Sequence, residues 1–294
     1  MAIKTASREL ALPRILMFGP PGSGKTLTAL LLARALCPDG KIGVIDTEQG
    51  TSQVYAGRLV EGKPLEFDVE ADMASFAPEE YEKAIDAFAS AKYPVLVIDS
   101  ISQEWSGPDG ILESLEGDGR GNSFGSWKHQ TPRHNKFIQK ILNYPGIVIC
   151  TCRAKISYVQ EQTENNGRLK TVVRNIGLQP QTRDEALYEF GLVVLMEGNG
   201  NVTVTKSRYE SLSGFTGYQC DKQIAQAILQ DQSGSTVAMK EQLLQQVEAT
   251  MGKPRFELDK QAEQKGNPPL TKNTVPQLQK ILAALSQRGV EEKK

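Results

Sequence analysis

Two short strings carry the chemistry this sequence advertises. Residues 19–26 read GPPGSGKT: Gly19, four further residues, then Gly24, Lys25 and Thr26. Glycines at such spacing let backbone N–H groups turn toward an anion, and a helix opening at the end of the string adds the positive end of its dipole. Lys25 is placed to reach the β- and γ-phosphates of a nucleoside triphosphate, and Thr26 to ligate Mg²⁺. The stretch Gly19, Pro20, Pro21, Gly22, Ser23, Gly24, Lys25, Thr26 and Leu27 is therefore expected to hold ATP. The second string is Val95-Leu96-Val97-Ile98-Asp99, an apolar run ending in a carboxylate. Asp99 is expected to hold the magnesium, directly or through water. A strand that merely ends in a turn aspartate is the alternative.

These residues need a frame. Four apolar runs, 15–18, 42–45, 95–98 and 147–150, read as buried parallel strands, each ending in small or polar residues. Helical patterns lie between them at 25–36, 78–91 and 133–142. Strands alternating with helices predict an α/β fold with a mostly parallel sheet flanked by helices and right-handed crossovers. Runs at 192–196 and 202–205, separated by Gly198-Asn199-Gly200-Asn201, predict an antiparallel hairpin that extends the sheet. The core is expected over 1–230, with Gln232-Ser233-Gly234-Ser235 as a linker. Residues 236–294 are polar and predict a small helical tail, in which Val275, Leu278, Ile281, Leu282 and Leu285 share one face and Thr274 caps the helix. Such a tail could recruit a protein partner.

The 294 residues carry a formal net charge of -1, so any nucleic-acid partner must meet a local patch. Two stretches supply one. Residues 120–140 hold five basic side chains (Arg120, Lys128, Arg133, Lys136, Lys140) and no acid, with Phe124, Trp127, His129 and His134 among them. Residues 153–183 hold six basics (Arg153, Lys155, Arg168, Lys170, Arg174, Arg183) against Glu161 and Glu164. Aromatics among cations suit a single strand: rings stack on bases while cations neutralise phosphates. Arg120, Trp127, Lys128, Arg133, Arg153, Lys155, Arg168, Lys170 and Arg174 are the candidates for DNA or RNA contact. A solvated face or an oligomer interface is the plainer alternative. His129 and His134 are expected at the surface, not as metal ligands. Of the four cysteines, Cys37, Cys150, Cys152 and Cys220, the middle two sit one residue apart in an apolar run and are expected as buried free thiols, which suits a cytoplasmic protein. No apolar run is long enough to span a membrane.

The residue after Asp99 is Ser100, where a typical AAA+ enzyme has a glutamate. The chain instead resembles RecA-like P-loop ATPases of phage type, in the group that includes the ATP-dependent single-strand annealing proteins. The resemblance covers roughly residues 12–215. It rests on GPPGSGKT, Asp46-Thr47-Glu48, VLVIDS at 95–100, the run from Gly177-Leu178-Gln179-Pro180 to Tyr188-Glu189-Phe190, and Lys206-Ser207-Arg208. It implies Glu48 as the base that orients water, although a plain loop carboxylate is the competing reading. It implies Thr151 as a γ-phosphate sensor where such proteins commonly carry Gln. It implies Lys206 and Arg208 as fingers reaching a neighbouring subunit's ATP, hence a ring or filament; two solvated basics are the alternative. Pro20-Pro21 is more AAA-like than RecA-like, which with the missing Gln favours annealing over strand exchange. The implied function is an oligomeric, ATP-dependent ssDNA-binding ATPase of recombination or annealing. A ring helicase or helicase loader, and an ATP-switched scaffold recruiting partners through its tail, are the competing functions.

Overall fold

The computed structural model describes residues 11–117, 124–165, 168–219, 221–233, 235–265, 267–273, 277–283 and 285, with only the backbone described at 116–117, 124, 158–165, 168–176, 235–239 and 272. Arg120, Cys220, Thr274 and Val275 lie outside the described residues. So do the side chains of Phe124, Arg168, Lys170 and Arg174.

The core is one sheet. Its strands are β1 (Arg14–Gly19), β2 (Ile42–Asp46), β5 (Asp68–Glu70), β6 (Val95–Asp99), β7 (Ile147–Asn165), β8 (Arg168–Pro180), β9 (Leu192–Met196), β10 (Asn201–Ser207) and β11 (Thr216–Tyr218); β3 (Leu59–Val60) and β4 (Lys63–Pro64) pair separately. The order is β11-β10-β9-β1-β7-β6-β2-β5, with β8 on β7. Strands β9, β1, β7, β6, β2 and β5 run parallel. Every residue of β1, β2 and β6 is buried, as helices on both faces require of continuous apolar strands. This is a mostly parallel α/β core with an antiparallel extension after β9.

Helices α1 (Lys25–Leu36), α2 (Pro78–Ser90), α3 (Ser102–Ser106), α4 (Ile111–Gly117) and α5 (Phe124–Asn143) follow the strands. Helix α1 buries Ala29, Leu30, Leu32, Ala33 and Leu36. Helix α2 opens with Pro78 in its first turn and Glu79 and Glu80 beside it, the arrangement a helix N-terminus favours. Helix α5 starts nine residues before the expected Arg133 and carries Pro132 inside. An internal proline costs about 3 kcal/mol; α5 buries Phe137, Ile138 and Ile141 in the core and sets Trp127 against Trp105.

The largest departure from expectation follows β7. The strand does not end at Cys150 but runs on to Asn165, and β8 returns beside it in register from Asn165↔Arg168 to Ala154↔Pro180. Most of the basic stretch 153–183 is a two-stranded ribbon. Its β-branched and aromatic content is strand-like, and Asn166-Gly167 is a strong hairpin signal in the sequence.

The described chain divides into two compact units. One is Leu12–Lys206 with Thr216–Ala225; the other comprises Met1–Ala11, Ser207–Phe215 and Gln226–Lys294. The expected limit at residue 230 falls within α6 (Asp221–Gln232). The second unit contains α7 (Ser235–Met251) and α8 (Arg255–Gln264), joined by Arg255 to Glu241 and Glu248.

Arg14 ties the sheet to α5. It is buried at the start of β1, and its guanidinium donates to the carbonyls of Leu142, Tyr144 and Gly146. These are the carbonyls a helix end leaves unpaired. Arg14→Met should therefore lower the unfolding free energy by about 3 kcal/mol, read as a reduced urea midpoint at unchanged slope; a loss below about 1 kcal/mol would mean that water satisfies these carbonyls instead.

Candidate nucleotide site

Four strand ends converge at the carboxyl edge of the sheet. Between β1 and α1 the loop turns through Gly22 and Gly24, with φ of 74° and 83°, a left-handed conformation that side-chain-bearing residues disfavour. Gly19 is required for a different reason: a Cβ there would run into the Met196 carbonyl and come within 2.7 Å of Ser23 Oγ. Lys25 is half-buried and donates to the carbonyls of Gly19 (3.1 Å) and Pro20 (3.0 Å). Burial lowers its pKa, opposed by the charges of Asp99 and Glu48.

Asp99 ends β6 and is 2% exposed. One carboxylate oxygen accepts the Thr151 hydroxyl, while Oδ2 is buried with no complete hydrogen bond among the described residues. Burial raises its pKa, and the hydroxyls of Thr151 and then Thr26 act against that. An unsatisfied buried carboxylate oxygen beside a threonine hydroxyl fits a hard, oxygen-seeking cation. No cluster of three or more His, Cys, Asp or Glu able to hold a metal occurs among the described residues. Thr26 and Asp99 would thus hold Mg²⁺ jointly with nucleotide oxygens and water.

The order β1-β7-β6 puts β7 between the loop-bearing strand and the strand of Asp99. That is why Thr151, on β7, is buried against Asp99 and orients its carboxylate. Cys150 and Cys152 flank it as buried free thiols, and burial pushes the Cys152 pKa up to about 11, so neither is a reactive thiolate.

At the end of β2, Asp46 accepts the backbone N–H groups of Glu48 and Ser52, each at 2.8 Å. It shapes the turn. Thr47 accepts the Ser100 N–H at 2.9 Å, and Tyr81 donates to the Ser100 carbonyl at 3.0 Å. Sequence reasoning missed Thr47 and Tyr81; the latter sits in an amphipathic helix and reads as core. Glu48 stands at the sheet edge and pairs with Arg153, whose Nη2 and Nε lie 3.0 and 3.2 Å from its Oε1.

The other candidates are placed as follows. Lys206 donates to the carbonyls of Leu187 (2.8 Å) and Tyr188 (2.7 Å), which explains the run before Phe190: a short 3-10 turn, Asp184–Tyr188, whose last carbonyls receive a lysine. Strand β10 ends at Ser207, so strand alternation does not extend to Arg208. Arg133 forms a two-pronged ion pair with Glu79, at 2.8 and 2.7 Å, which lowers the Glu79 pKa. Lys136 pairs with Glu82 and Lys140 with Asp86, each at 2.6 Å. Three of the five basics in 120–140 are thus answered by an acidic stripe on α2, a pairing invisible in the local charge count. Lys128 and His129 are exposed. Trp127 is half-buried, its ring 6.0 Å from that of Trp105. His134, expected at the surface, is 2% exposed, its Nδ1 3.1 Å from both carboxylate oxygens of buried Glu104; it faces the core because α5 begins early enough to turn it inward. Lys155 is exposed on the ribbon opposite Gln179. No helix among the described residues is long and apolar enough to cross a membrane.

A family model described as an AAA domain matches residues 12–225. Among solved structures, the crystal structure of the RadB recombinase aligns with 16% identity and a TM-score of 0.43, covering 70% of this chain and 86% of that one. No curated protein matches.

Because burial raises the Asp99 pKa, the native state binds its proton more tightly than the unfolded chain does. Stability at this site is accordingly lost as pH rises from the ordinary carboxylate range through the folded value. Asp99→Asn should raise the melting temperature of the nucleotide-free protein at pH 8, and the gain should close as the pH falls to about 4; an unchanged or lower melting temperature at pH 8 would show that the carboxylate is satisfied in solution.

Proposed function

Because this chain belongs to the AAA domain family of P-loop ATPases, we propose that it is a self-assembling, ATP-hydrolysing, single-stranded-DNA-binding protein of recombination or annealing. One observation carries this reading. Strand β7 places Thr151 against Asp99 and Arg153 beside Glu48, then continues without a break into the ribbon that bears Lys155, Arg168, Lys170 and Arg174. One strand, β7, thus runs from the nucleotide site into the ribbon, whose other strand, β8, carries Arg168, Lys170 and Arg174.

In this reading the glycine loop cradles the phosphates and Lys25 offsets charge on the β- and γ-phosphoryl oxygens. Glu48 orients the attacking water, and Thr151 holds the Asp99 carboxylate in its working direction. Magnesium, when bound by Thr26 and Asp99, neutralises charge on the phosphate oxygens. Ribbon cations meet DNA phosphates, joined by Arg120 and Lys128; Arg133 contributes less because Glu79 already answers its charge. Lys206 and Arg208 serve a neighbouring subunit's nucleotide once assembly draws Lys206 away from its carbonyls.

The test is ATP turnover and ssDNA binding as a function of salt. Binding should weaken with a slope of roughly -0.7 per phosphate neutralised, and the pair Lys155→Ala and Lys170→Ala should reduce that slope by about 1.4. ssDNA should stimulate ATP hydrolysis, and Glu48→Gln should reduce turnover by at least about a hundredfold. Salt-independent binding together with unstimulated turnover would overturn the DNA reading; full activity of Glu48→Gln would reassign the base.

A further inference from the structure

The Glu48–Arg153 pair is an odd feature for a working site. A carboxylate placed to orient water is engaged by a guanidinium across the mouth of the nucleotide loop. The two residues come from strands that are not neighbours: Arg153 is on β7, Glu48 follows β2, and β6 lies between them. The pair therefore spans the strand end that carries Asp99.

Arg153 is positioned by three separate restraints. Its Cα is the register partner of Gly19, the first residue of the nucleotide loop. Its backbone N–H donates to Ser102 Oγ at 2.8 Å, and its carbonyl accepts from Gln181 N–H at 2.7 Å. Thr151 and Arg153 share one side of β7 by alternation, and that side is the one on which Thr151 meets Asp99. The backbone is held while the side chain remains accessible: the Arg153 and Glu48 side chains are 46% and 31% exposed. An ion pair so open to solvent is worth about 0–1 kcal/mol and contributes little to the fold. A guanidinium binds a phosphate in the same forked geometry as a carboxylate, with stronger charge-assisted bonds.

We infer that Arg153 exchanges Glu48 for the γ-phosphate of bound ATP, so that the ion pair is a latch holding the water-orienting carboxylate off its station until a triphosphate arrives. Lys25 and Arg153 then flank the terminal phosphate from the start of α1 and from β7, and Glu48 is released toward water. ADP has no group at this position and leaves the latch closed. The inference rests on the ATP-site reading proposed above, and it moves Arg153 from the nucleic-acid surface to the nucleotide.

Nucleotide binding by the full chain tests it without requiring turnover or DNA. Affinities of Mg²⁺ with a non-hydrolysable ATP analogue and with ADP are measured for the unmodified chain, Arg153→Ala, Arg153→Lys, Glu48→Gln and the Arg153→Ala/Glu48→Gln double variant. Arg153→Ala should weaken the analogue about tenfold while changing ADP less than about twofold, with Arg153→Lys in between. Glu48→Gln should tighten the analogue about threefold, because Arg153 no longer has to leave a carboxylate, and this gain should vanish in the double variant. Equal effects on analogue and ADP, or additive effects of the two substitutions, would overturn the latch. Melting temperatures within a few degrees of the unmodified chain are expected for all variants; a larger drop for Arg153→Ala marks a purely structural pair and also overturns it. Loss of the latch signature with Lys25-dependent nucleotide binding intact sinks this inference alone, whereas nucleotide binding unaffected by Lys25→Ala sinks the site reading beneath it.

Discussion

The carboxylate of Asp99 is the constraint around which the site is organised. A charged group buried at the end of a central strand is unfavourable unless its surroundings answer it. Here Thr151 answers one oxygen from β7, Thr26 approaches from the nucleotide loop, and the other oxygen stays unsatisfied. The two answering groups belong to different elements, Thr151 to β7 and Thr26 to the first turn of α1. The strand order, the position of Thr151 and the packing of the loop against β9 at Gly19 therefore serve one local requirement: a buried anion left short of one partner. Burial leaves the Asp99 carboxylate electrostatically unfavourable in the nucleotide-free protein, and a cation bound there would relieve it.

A second layer of interactions keeps that arrangement rigid without entering it. Thr47 and Tyr81 grip the peptide after Asp99 from β2 and α2. Arg14 joins β1 to the end of α5. The stripes Glu79, Glu82, Asp86 and Arg133, Lys136, Lys140 bind α2 to α5 at a helical spacing of three and four residues. The Arg133–Glu79 and Lys140–Asp86 pairs are open to solvent and contribute about 0–1 kcal/mol each, while Lys136 answers the buried carboxylate of Glu82. They neutralise a stretch that looks strongly basic in isolation. Among the described basic side chains of the two stretches, Lys128 and Lys155 remain exposed.

The parallel core, the nucleotide loop, Asp99 and the hairpin at β9 and β10 were legible because each has a local signature: a continuous apolar run, a glycine spacing, a terminal carboxylate, a Gly-Asn turn. Harder cases failed for physical reasons. The ribbon went unread because its composition is polar, although Asn166-Gly167 is a hairpin signal in the sequence. His134 looked like a surface residue because the proline before it suggested a helix start. The partner of Arg153 went unseen because charge counting along the chain cannot register a carboxylate 105 residues away.

The sequence by itself determined the glycine-rich turn and the strand-terminal aspartate, because both follow from local backbone geometry and the end of an apolar run. Only the tertiary structure decided how those groups are partnered. Placing β7 between β1 and β6 brings Thr151 onto Asp99 and Arg153 onto Glu48, contacts between residues far apart in the chain. Periodicity and motif spacing describe a residue's own segment; hydrogen-bond and ion-pair partners are set by which strands become neighbours, and that order is a property of the whole sheet.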